Sequence, residues 1–417
     1  MKGLVERDVP RRTLRTRRLN PEGKRDFFLA RRSETIMKRF FIVCAGLGVA
    51  LLTVHGLAQQ PRTSGQDLDI VPVHGNVYMI AGAGGNITAS IGRDGVFLVD
   101  TGLAAMSDKV LEAVRQLTRQ VQVKEPPVDL RWGAETRGTL QNSLNPAMPP
   151  KPIRYIVNTH FHPDHTGGNE KLAKAGRTFT GGNVAGDIAD AGQGAAIFAY
   201  ENTLNHMSAP TGSQAPTPDG AWPTDTFHQE SMKLSHFFNG DAIQIVHIPG
   251  AHTDGDVIVY FRGSDVLASG DIFQMTTYPF IDVDNGGTIN GLIEGCNRML
   301  DIVIPEFRME GGTMVVPGHG RLSDGADLAY YRDMLTIIRD RAQALIKQGK
   351  TLEQVKAAKI TADYDPRWGV SNTVWSTDKF VEAVYKTLHR AGSPEGLRYG
   401  FPKAAPKPAA TTKKKNQ

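Results

Sequence analysis

The sequence predicts a mixed α/β (α+β) fold, and three observations support this prediction. Short runs of β-branched and aromatic residues end in turns rich in glycine and aspartate, which is typical of strands. Longer segments repeat apolar residues every three or four positions, which is typical of helices that pack against a sheet. A chain of 417 residues with 40% hydrophobic content is also sufficient for a sizeable core, in one large domain or two small ones.

Strands and helices are interspersed along the chain. Strands are predicted where β-branched and aromatic residues cluster, at residues 71–80, 86–91, 96–100, 153–158, 257–261, 266–269 and 314–316. Helices are predicted where apolar residues follow helical spacing, at residues 106–119, 289–303, 326–346 and 373–389. In the first of these helices, Leu111, Val114 and Leu117 share one face.

One predicted strand leads directly into a cluster of potential metal ligands. His160, His162, Asp164 and His165 fall within six consecutive positions of a chain that has only 12 histidines. Neutral imidazole and carboxylate groups are ligands that Zn²⁺ favours in hydrolytic sites. Because Pro163 and two following glycines interrupt regular structure, the cluster is predicted to lie on a loop. Solvated loop histidines are the alternative, which this density of ligand residues disfavours.

Three later segments each supply one further ligand residue at the edge of a predicted strand. His252 precedes a strand, whereas Asp271 and His319 each follow one. Each lies beside or near a glycine, which lets the backbone approach closely. Taken singly, each would be an ordinary loop or turn residue, but the ordered combination is much more specific.

The HxHxDH pattern that begins at His160, with His252, Asp271 and His319 after it, resembles the metallo-β-lactamase superfamily. A second match is to the family's early strand that ends in an aspartate turn, here Leu98-Val99-Asp100-Thr101-Gly102. The resemblance covers about residues 70–345. It implies a four-layer αββα sandwich with a dinuclear metal site at one edge of the sheets.

The resemblance also implies how the ligands are divided between two Zn²⁺ ions, with iron or manganese as alternatives. The first set is His160, His162 and His252. The second set is Asp164, His165 and His319. Asp271 would bridge the two ions or join the second set, and Asp164 is the predicted catalytic residue. Asp100 is a candidate for orienting an imidazole from outside the ligand set, and a plain turn role is an equal alternative.

The predicted chemistry is hydrolysis of a small molecule. A water held between two divalent ions loses a proton near neutral pH and becomes a strong nucleophile beside a Lewis acid. We therefore expect an exported dinuclear zinc hydrolase that cleaves an amide, lactam, lactone or ester bond, with β-lactam hydrolysis as its most testable form. The alternatives are a glyoxalase II-like thioesterase, an iron-dependent sulfur-oxidising enzyme and a non-catalytic extracytoplasmic metal-binding protein.

Two positions bear on the substrate. One β-lactamase subclass has cysteine where Asp271 stands and, three residues later, a lysine that binds the drug's carboxylate. Gln274 occupies that second position, so a fixed positive charge is missing. Asp271 after a glycine is more similar to the bridging aspartate of glyoxalase II. The predicted export and the lack of an evident basic pocket argue against a glutathione thioester.

The charge is unevenly distributed along the chain. Residues 1–58 hold 13 Lys/Arg and 5 Asp/Glu, a net charge of +8. Residues 397–417 add six basic and no acidic residues, so residues 59–396 carry −9 within a chain of +5. An acidic body lacks the electrostatic footprint of a nucleic-acid-binding protein, which argues against the nuclease branches of the superfamily.

The amino-terminal region predicts export to the periplasm or the exterior. Residues 37–58 combine a basic start, a short apolar run and small residues, which is typical of a secretory signal peptide. The run is short for a membrane span, so contact with the membrane is expected only during export, and an uncleaved anchor is the alternative. Residues 1–36 are interpreted as a mis-extended start, 59–396 as the hydrolase domain and 397–417 as a disordered tail.

Two further regions and the cysteines complete the analysis. Residues 126–152 contain six prolines and are predicted to form a surface loop. Residues 195–238 carry His206, His228 and His236, and this segment is a candidate lid over the metals, with surface positions favoured for the histidines. Cys296 is the only cysteine after the predicted signal peptide and is predicted to be a buried structural thiol.

Overall fold

The computed structural model describes the chain in seven stretches, namely residues 68–124, 151–178, 194–209, 216–234, 237–304, 312–371 and 375–391. These residues all fall within one compact unit, Gln66–Gln417. The predictions for residues 1–58, for 397–417, for nearly all of 126–152 and for His236 lie outside them. Among the described helices, none combines the length and the apolarity needed to cross a membrane.

The first sheet has seven strands, which lie in the sheet in chain order. They are β1 (Asp69–Pro72), β2 (Val77–Ala81), β3 (Ile87–Gly92), β4 (Gly95–Val99), β5 (Ile153–Val157), β6 (Ala196–Tyr200) and β7 (Asp225–Phe227). Strands β1 to β4 pair antiparallel, whereas β4 to β7 pair parallel. The carboxyl ends of β4 and β5 therefore lie at the same edge.

The second sheet has five strands in the order β12-β11-β10-β9-β8. They are β8 (Ser231–Lys233), β9 (Ile243–His247), β10 (Val257–Phe261), β11 (Val266–Ala268) and β12 (Met314–Val316). Only the pair formed by β11 and β12 is parallel. The carboxyl ends of β9, β11 and β12 therefore share one edge, because β9 and β11 both run opposite to β10.

The described helices cover the outer faces of the two sheets. They are α1 (Ser107–Lys124), α2 (Pro163–Thr166), α3 (Asn169–Lys174), α4 (Glu201–Ser208), α5 (Ile289–Ile302), α6 (Gly325–Lys347), α7 (Leu352–Ala357), α8 (Asp365–Trp368) and α9 (Thr377–Ala391). The four predicted helices are all present, within four residues at either end except that α1 continues to Lys124.

Three buried clusters define the layers. Alternate residues of β4 divide between two of them: Leu98 packs with α1 and α3, whereas Phe97 and Val99 pack against the second sheet. In β11, Leu267 faces the third cluster, which contains α5, α6 and α9. The order of layers is helix, sheet, sheet, helix, so the predicted αββα sandwich is confirmed.

Two predictions about local structure are wrong. The strand predicted at residues 71–80 is two strands, because a turn intervenes in which Gly75 has φ 56° and Val77 N–H donates to the His74 carbonyl at 2.9 Å. The ligand cluster is also not wholly a loop, because its second half forms α2. Pro163 occupies the first turn of that helix, where its missing N–H costs nothing.

The described parts of the segment at residues 195–238 belong to the sandwich rather than to a separate lid. It supplies β6, α4, β7 and β8 to the two sheets and their connection. In this segment, the runs that alternate apolar and polar residues are too short for the sequence to distinguish strands from loops. His228 is exposed as predicted, whereas His206 is partly buried, with its Nε2 2.8 Å from Oδ1 of Asp254.

We predict that Cys296 is unreactive in the folded protein. Its side chain is buried in α5, as expected from the sequence, and burial raises the pKa of the thiol, so the reactive thiolate is scarce. In protein beginning at Gln59, Ellman's reagent at pH 8 should label this thiol only after guanidinium is added. Cys296→Ala protein is the blank, and labelling of the native protein within minutes would contradict the prediction.

Candidate metal centre

The seven predicted ligands come together at one edge of the sandwich. The loop after β5 carries the histidine cluster, and the loops after β9, β11 and β12 carry His252, Asp271 and His319. The two edges are joined by a hydrogen bond from Val257 N–H to the Thr159 carbonyl at 2.8 Å. Parallel and antiparallel pairing thus explain why residues up to 159 positions apart meet at one place.

The first group of potential ligand atoms belongs to His160, His162 and His252. These atoms all lie within 4.8 Å of one another. Nε2 of His252 is 2.9 Å from Nδ1 of His162, and the His160 ring stands at 87° and 85° to the rings of His162 and His252. His160 and His252 are fully buried. The three rings therefore enclose a small polar space of the size that suits a divalent cation.

The second group belongs to Asp164, His165 and His319, whose ligand atoms also lie within 4.8 Å of one another. Nε2 of His319 is 3.2 Å from Oδ2 of Asp164 and 3.4 Å from Nε2 of His165. His165 is fully buried, whereas the Asp164 side chain is 34% exposed. Asp164 is thus the ligand candidate that reaches furthest toward solvent.

Asp271 lies between the two groups. Its Oδ1 is 3.2 Å from Nε2 of His165 and 3.4 Å from Nε2 of His319, both in the second group. Its Oδ2 is 3.7 Å from Nε2 of His252 in the first group. Its two oxygens face different groups, an arrangement that suits a carboxylate shared between two cations.

Two glycines leave space for these side chains. A Cβ atom on Gly85 would collide with the His165 ring, and one on Gly318 would collide with the Asp271 carboxylate. Asn86 links the loop after β2 to the loop after β12, since its side-chain amide donates to the carbonyls of Pro317 and Gly320 at 2.9 Å each. Gly318, which directly precedes the ligand candidate His319, is therefore required by close packing.

Asp100 orients two histidines from outside the ligand groups. Its Oδ2 accepts a hydrogen bond from Nδ1 of His165 at 2.8 Å, and its Oδ1 accepts one from Thr159 N–H at 2.8 Å. The Thr159 hydroxyl donates to Asp100 at 2.7 Å and so accepts from Nδ1 of His160 at 3.0 Å. Asp100 has φ 64°, a conformation that aspartate tolerates. This geometry supports the orienting role over a plain turn role.

Two further supports were not identified from the sequence. Nε2 of His162 donates to Oδ2 of Asp282 at 3.0 Å, and Nδ1 of His252 donates to the Phe280 carbonyl at 2.7 Å. Asn285 also donates to Asp282, at 2.8 Å. Neither support stands in a recognisable motif, and a backbone carbonyl carries no residue-type signal at all.

The donor atoms themselves fit a metal ion. Nε2 of His160 is buried and has no hydrogen-bond partner within the described part of the chain, and the buried Oδ1 of Asp271 lies only at ion-pair distance from His165 and His319. In the tautomers that place the ring protons of His162 and His252 on the outer supports, the two nitrogens that face each other at 2.9 Å present lone pairs. Converging lone pairs repel one another, and a cation between them removes that repulsion.

The first group contains two imidazoles, those of His160 and His252, that resist protonation. Burial, followed by the neighbouring imidazoles His165 and His252, lowers the pKa of His160 well below its ordinary value. Burial also lowers the pKa of His252 to about 4, even though the Asp271 carboxylate acts in the opposite direction. Both rings are therefore neutral near pH 7, which is the state that binds a metal.

The second group holds protons more strongly. Burial alone would lower the pKa of His165, but the carboxylates of Asp271 and Asp100 raise it well above the ordinary value. Burial is likewise outweighed at His319, where Asp271 and Asp164 raise the pKa to about 9. Without a cation, these two imidazoles carry the positive charge that the carboxylates require.

Gln274 is bound within its own loop. Its side-chain amide donates to the Tyr278 carbonyl at 2.9 Å, its side-chain oxygen accepts from the Thr276 hydroxyl at 3.1 Å, and the residue is buried. It therefore supplies no charge where one β-lactamase subclass has a lysine. Among the described residues, the ion pairs of the seven ligand candidates join histidines to aspartates only.

The chain matches proteins named as alkylsulfatases. It is 27% identical over 251 residues to the linear primary-alkylsulfatase of Pseudomonas sp. (strain ATCC 19151), covering 52% of this chain and 45% of that protein. It is 22% identical over 293 residues to an (R)-specific secondary-alkylsulfatase of Pseudomonas sp., covering 62% and 43%. The chain thus spans less than half the length of these two curated relatives.

A shorter match joins the chain to a third curated protein. It is 26% identical over 122 residues to the hydroxyacylglutathione hydrolase of Pelagibacter ubique (strain HTCC1062), covering 28% of this chain and 36% of that protein. Among solved structures, a stereoselective inverting sec-alkylsulfatase from Pseudomonas sp. superposes with a TM-score of 0.49 at 19% identity, covering 80% of this chain and 52% of that one.

The family assignment rests on the sequence as a whole. The sequence model described as the Metallo-beta-lactamase superfamily matches residues 70–360, which is more than half of the chain. This range contains all seven ligand candidates and both sheets except the first residue of β1. The chain belongs to the metallo-β-lactamase superfamily, as its sequence pattern predicted.

Proposed function

We propose that the protein is a metal-dependent hydrolase that holds two Zn²⁺ ions. His160, His162 and His252 would bind the first ion, and the second would be bound by Asp164, His165 and His319, with Asp271 shared between the two. The observation that carries this proposal is the pair of three-ligand groups with one carboxylate between them. With three protein ligands each and one shared carboxylate, such groups would leave positions for water and substrate.

The ions would supply Lewis acidity and lower the pKa of water. The chain's own residues do the rest. Asp100 and Asp282 keep the proton of His165 and His162 on the outer nitrogen, so that the inner nitrogen stays a ligand. Asp164 is partly exposed, so its carboxylate is placed to accept a proton from solvent and return it to a leaving group. The buried rings exclude bulk water from the rest of the centre.

As substrate we propose an ester of a small alcohol, with a sulfuric ester as the first candidate. The names of the two alkylsulfatase relatives support it, and so do the exposed apolar side chains Leu103 and Phe280 beside the ligand groups. A thioester is the second candidate, supported by the match to a hydroxyacylglutathione hydrolase. A β-lactam is less favoured, because Gln274 offers no charge for a drug carboxylate.

We further propose that the enzyme acts in the periplasm or outside the cell. The basic start, short apolar run and small residues of 37–58 support this location. Iron in place of zinc, with an oxidative task, is the competing interpretation of the same ligands. Elemental analysis of purified protein distinguishes the two, since a sulfur-oxidising enzyme would carry iron and lose function when zinc replaces it.

We predict that Asp164→Ala lowers kcat/KM at least about 100-fold, because a positioned group that moves a proton contributes about that much. The assay compares an alkyl sulfate, an acyl thioester and a chromogenic cephalosporin, using zinc-loaded protein beginning at Gln59. A value above about 10⁴ M⁻¹s⁻¹ identifies the substrate class. Asp108→Ala removes an exposed carboxylate and should leave the rate unchanged. Undiminished turnover by Asp164→Ala would refute the proposed role.

We predict that Asp282→Ala weakens zinc binding at the first group by about 10-fold to 100-fold. The substitution removes the acceptor that keeps the proton of His162 on Nε2. Competition with a chromophoric chelator at pH 7 measures the effect. Asp284→Ala is the matched control, since this exposed carboxylate lies two residues away. Equal zinc affinity of Asp282→Ala and Asp284→Ala would show that Asp282 does not support metal binding.

We predict that the two groups respond differently to pH. Zinc must displace a proton from His319, whose pKa is raised to about 9, so affinity at the second group falls as pH drops below 9. The decrease reaches about tenfold per pH unit for each displaced proton. His252 has a pKa of about 4 and the pKa of His160 is also lowered, so zinc displaces no proton from these two imidazoles between pH 6 and pH 9. As pH falls, the second group should lose its ion before the first group does. Chelator competition across this range tests this order, and loss of the first ion before the second would contradict it.

A further inference from the structure

Two large apolar side chains are exposed beside the metal centre. Five large apolar residues of the described chain are exposed, and two of them, Phe280 and Leu103, border the ligand groups at 40% exposure each. Phe280 adjoins the first group and Leu103 adjoins the second. Apolar surface next to convergent polar groups is typical of a site that binds a substrate with both kinds of surface.

Phe280 is fixed to the first group by its own backbone. Its carbonyl accepts the hydrogen bond from Nδ1 of His252 at 2.7 Å. Its ring lies 5.7 Å from the His252 ring and 5.8 Å from the His162 ring, measured between centroids. The same residue therefore orients a ligand through its main chain and presents an aromatic face beside that ligand.

Trp375 supports Phe280 from the side. The two rings meet edge to face, with centroids 4.7 Å apart at 85°. The indole N–H of Trp375 donates to the Tyr278 carbonyl at 3.1 Å, and the Tyr278 ring stacks on Phe380 of α9 at 4.7 Å. Because that N–H is already used, the wall of Phe280 and Trp375 offers hydrocarbon surface without a free donor. Trp375 lies beyond residues 70–360, so the family match does not include it.

Leu103 supplies apolar surface at the second group. A Cβ atom placed on Gly84 would lie 2.8 Å from Cγ of Leu103 and 3.1 Å from Cβ of Asp164, so these two side chains flank the same glycine. The Leu103 N–H donates to the Ala83 carbonyl at 2.7 Å, which fixes its backbone. The centre is thus bordered by hydrocarbon next to both ligand groups.

We propose that the aromatic wall formed by Phe280 and Trp375 is the subsite for an alkyl chain attached to the scissile ester. The proposal rests on the proposed hydrolase function and narrows its substrate to esters of apolar alcohols. A chain that leaves the polar centre on this side meets the carbon faces of these two rings, so added methylenes lose contact with water. Full burial of a methylene group is worth about fourfold in binding, which is the upper limit for this contact.

The first experiment measures binding without turnover. Butyl to decyl sulfonates carry a charged head but no ester bond, and calorimetry gives their affinity for zinc-loaded protein. We expect wild-type affinity to rise with chain length, by up to about fourfold per methylene. In Phe280→Ala, that increment should fall to less than half on a logarithmic scale, and Phe280→Leu should restore most of it. An equal increment in wild type and Phe280→Ala, or no increment in wild type, would overturn the subsite.

The second experiment separates the subsite from the hydrolase proposal. We expect kcat/KM for butyl to decyl sulfates to increase with chain length in wild type. In Phe280→Ala, kcat/KM should depend little on chain length, because KM no longer falls as the chain grows. Tyr330→Ala removes a more exposed aromatic ring that contacts Tyr364, and it should match wild type. Chain-length-dependent sulfonate binding without hydrolysis of any ester would retain the subsite and reject the hydrolase. Hydrolysis that is independent of chain length would retain the hydrolase and reject the subsite.

Discussion

The constraint on which this molecule depends is the burial of imidazole nitrogens whose lone pairs converge. Removing an unpaired polar atom from water costs about 1–3 kcal/mol, so a centre with an orphaned nitrogen on His160 opposes folding. The sandwich tolerates this cost because Asp100, Asp282 and the Phe280 carbonyl hold the rings of His165, His162 and His252 by their outer nitrogens. The fold thus maintains a strained donor set in a geometry that a divalent cation relieves.

The sequence was sufficient to locate the ligand candidates, because their signal is local. Four of them occupy six positions, and Asp271 and His319 directly follow apolar strands whose ends could be recognised. The supports were less accessible. Asp282 reaches His162 across 120 positions, and the Phe280 contribution is a backbone oxygen that any residue possesses. Outer supports depend on tertiary placement of loops, which neither periodicity nor composition encodes.

The fold was predictable to a similar depth. Strands that are buried except at one residue, such as β10 and β12, coincide with their predicted limits because their apolar runs are continuous. The predictions were wrong at turns and connections where a single residue determines the backbone conformation. Gly75 divides the first predicted strand, and Pro163 begins a helix where it was expected only to interrupt structure. In residues 195–238, strands of three to five residues carry too little pattern to identify.

The convergence of ligands from both sheets also has a kinetic meaning. His160 follows β5 of one sheet and His319 follows β12 of the other, so neither ligand group is complete until the two sheets have packed. Contacts this distant in sequence form slowly during folding, so neither complete ligand group exists before the sheets pack. Once bound across the closed edge, an ion would act as a cross-link that must break before the sheets separate. The centre would then set the lifetime of the native state as well as its chemistry.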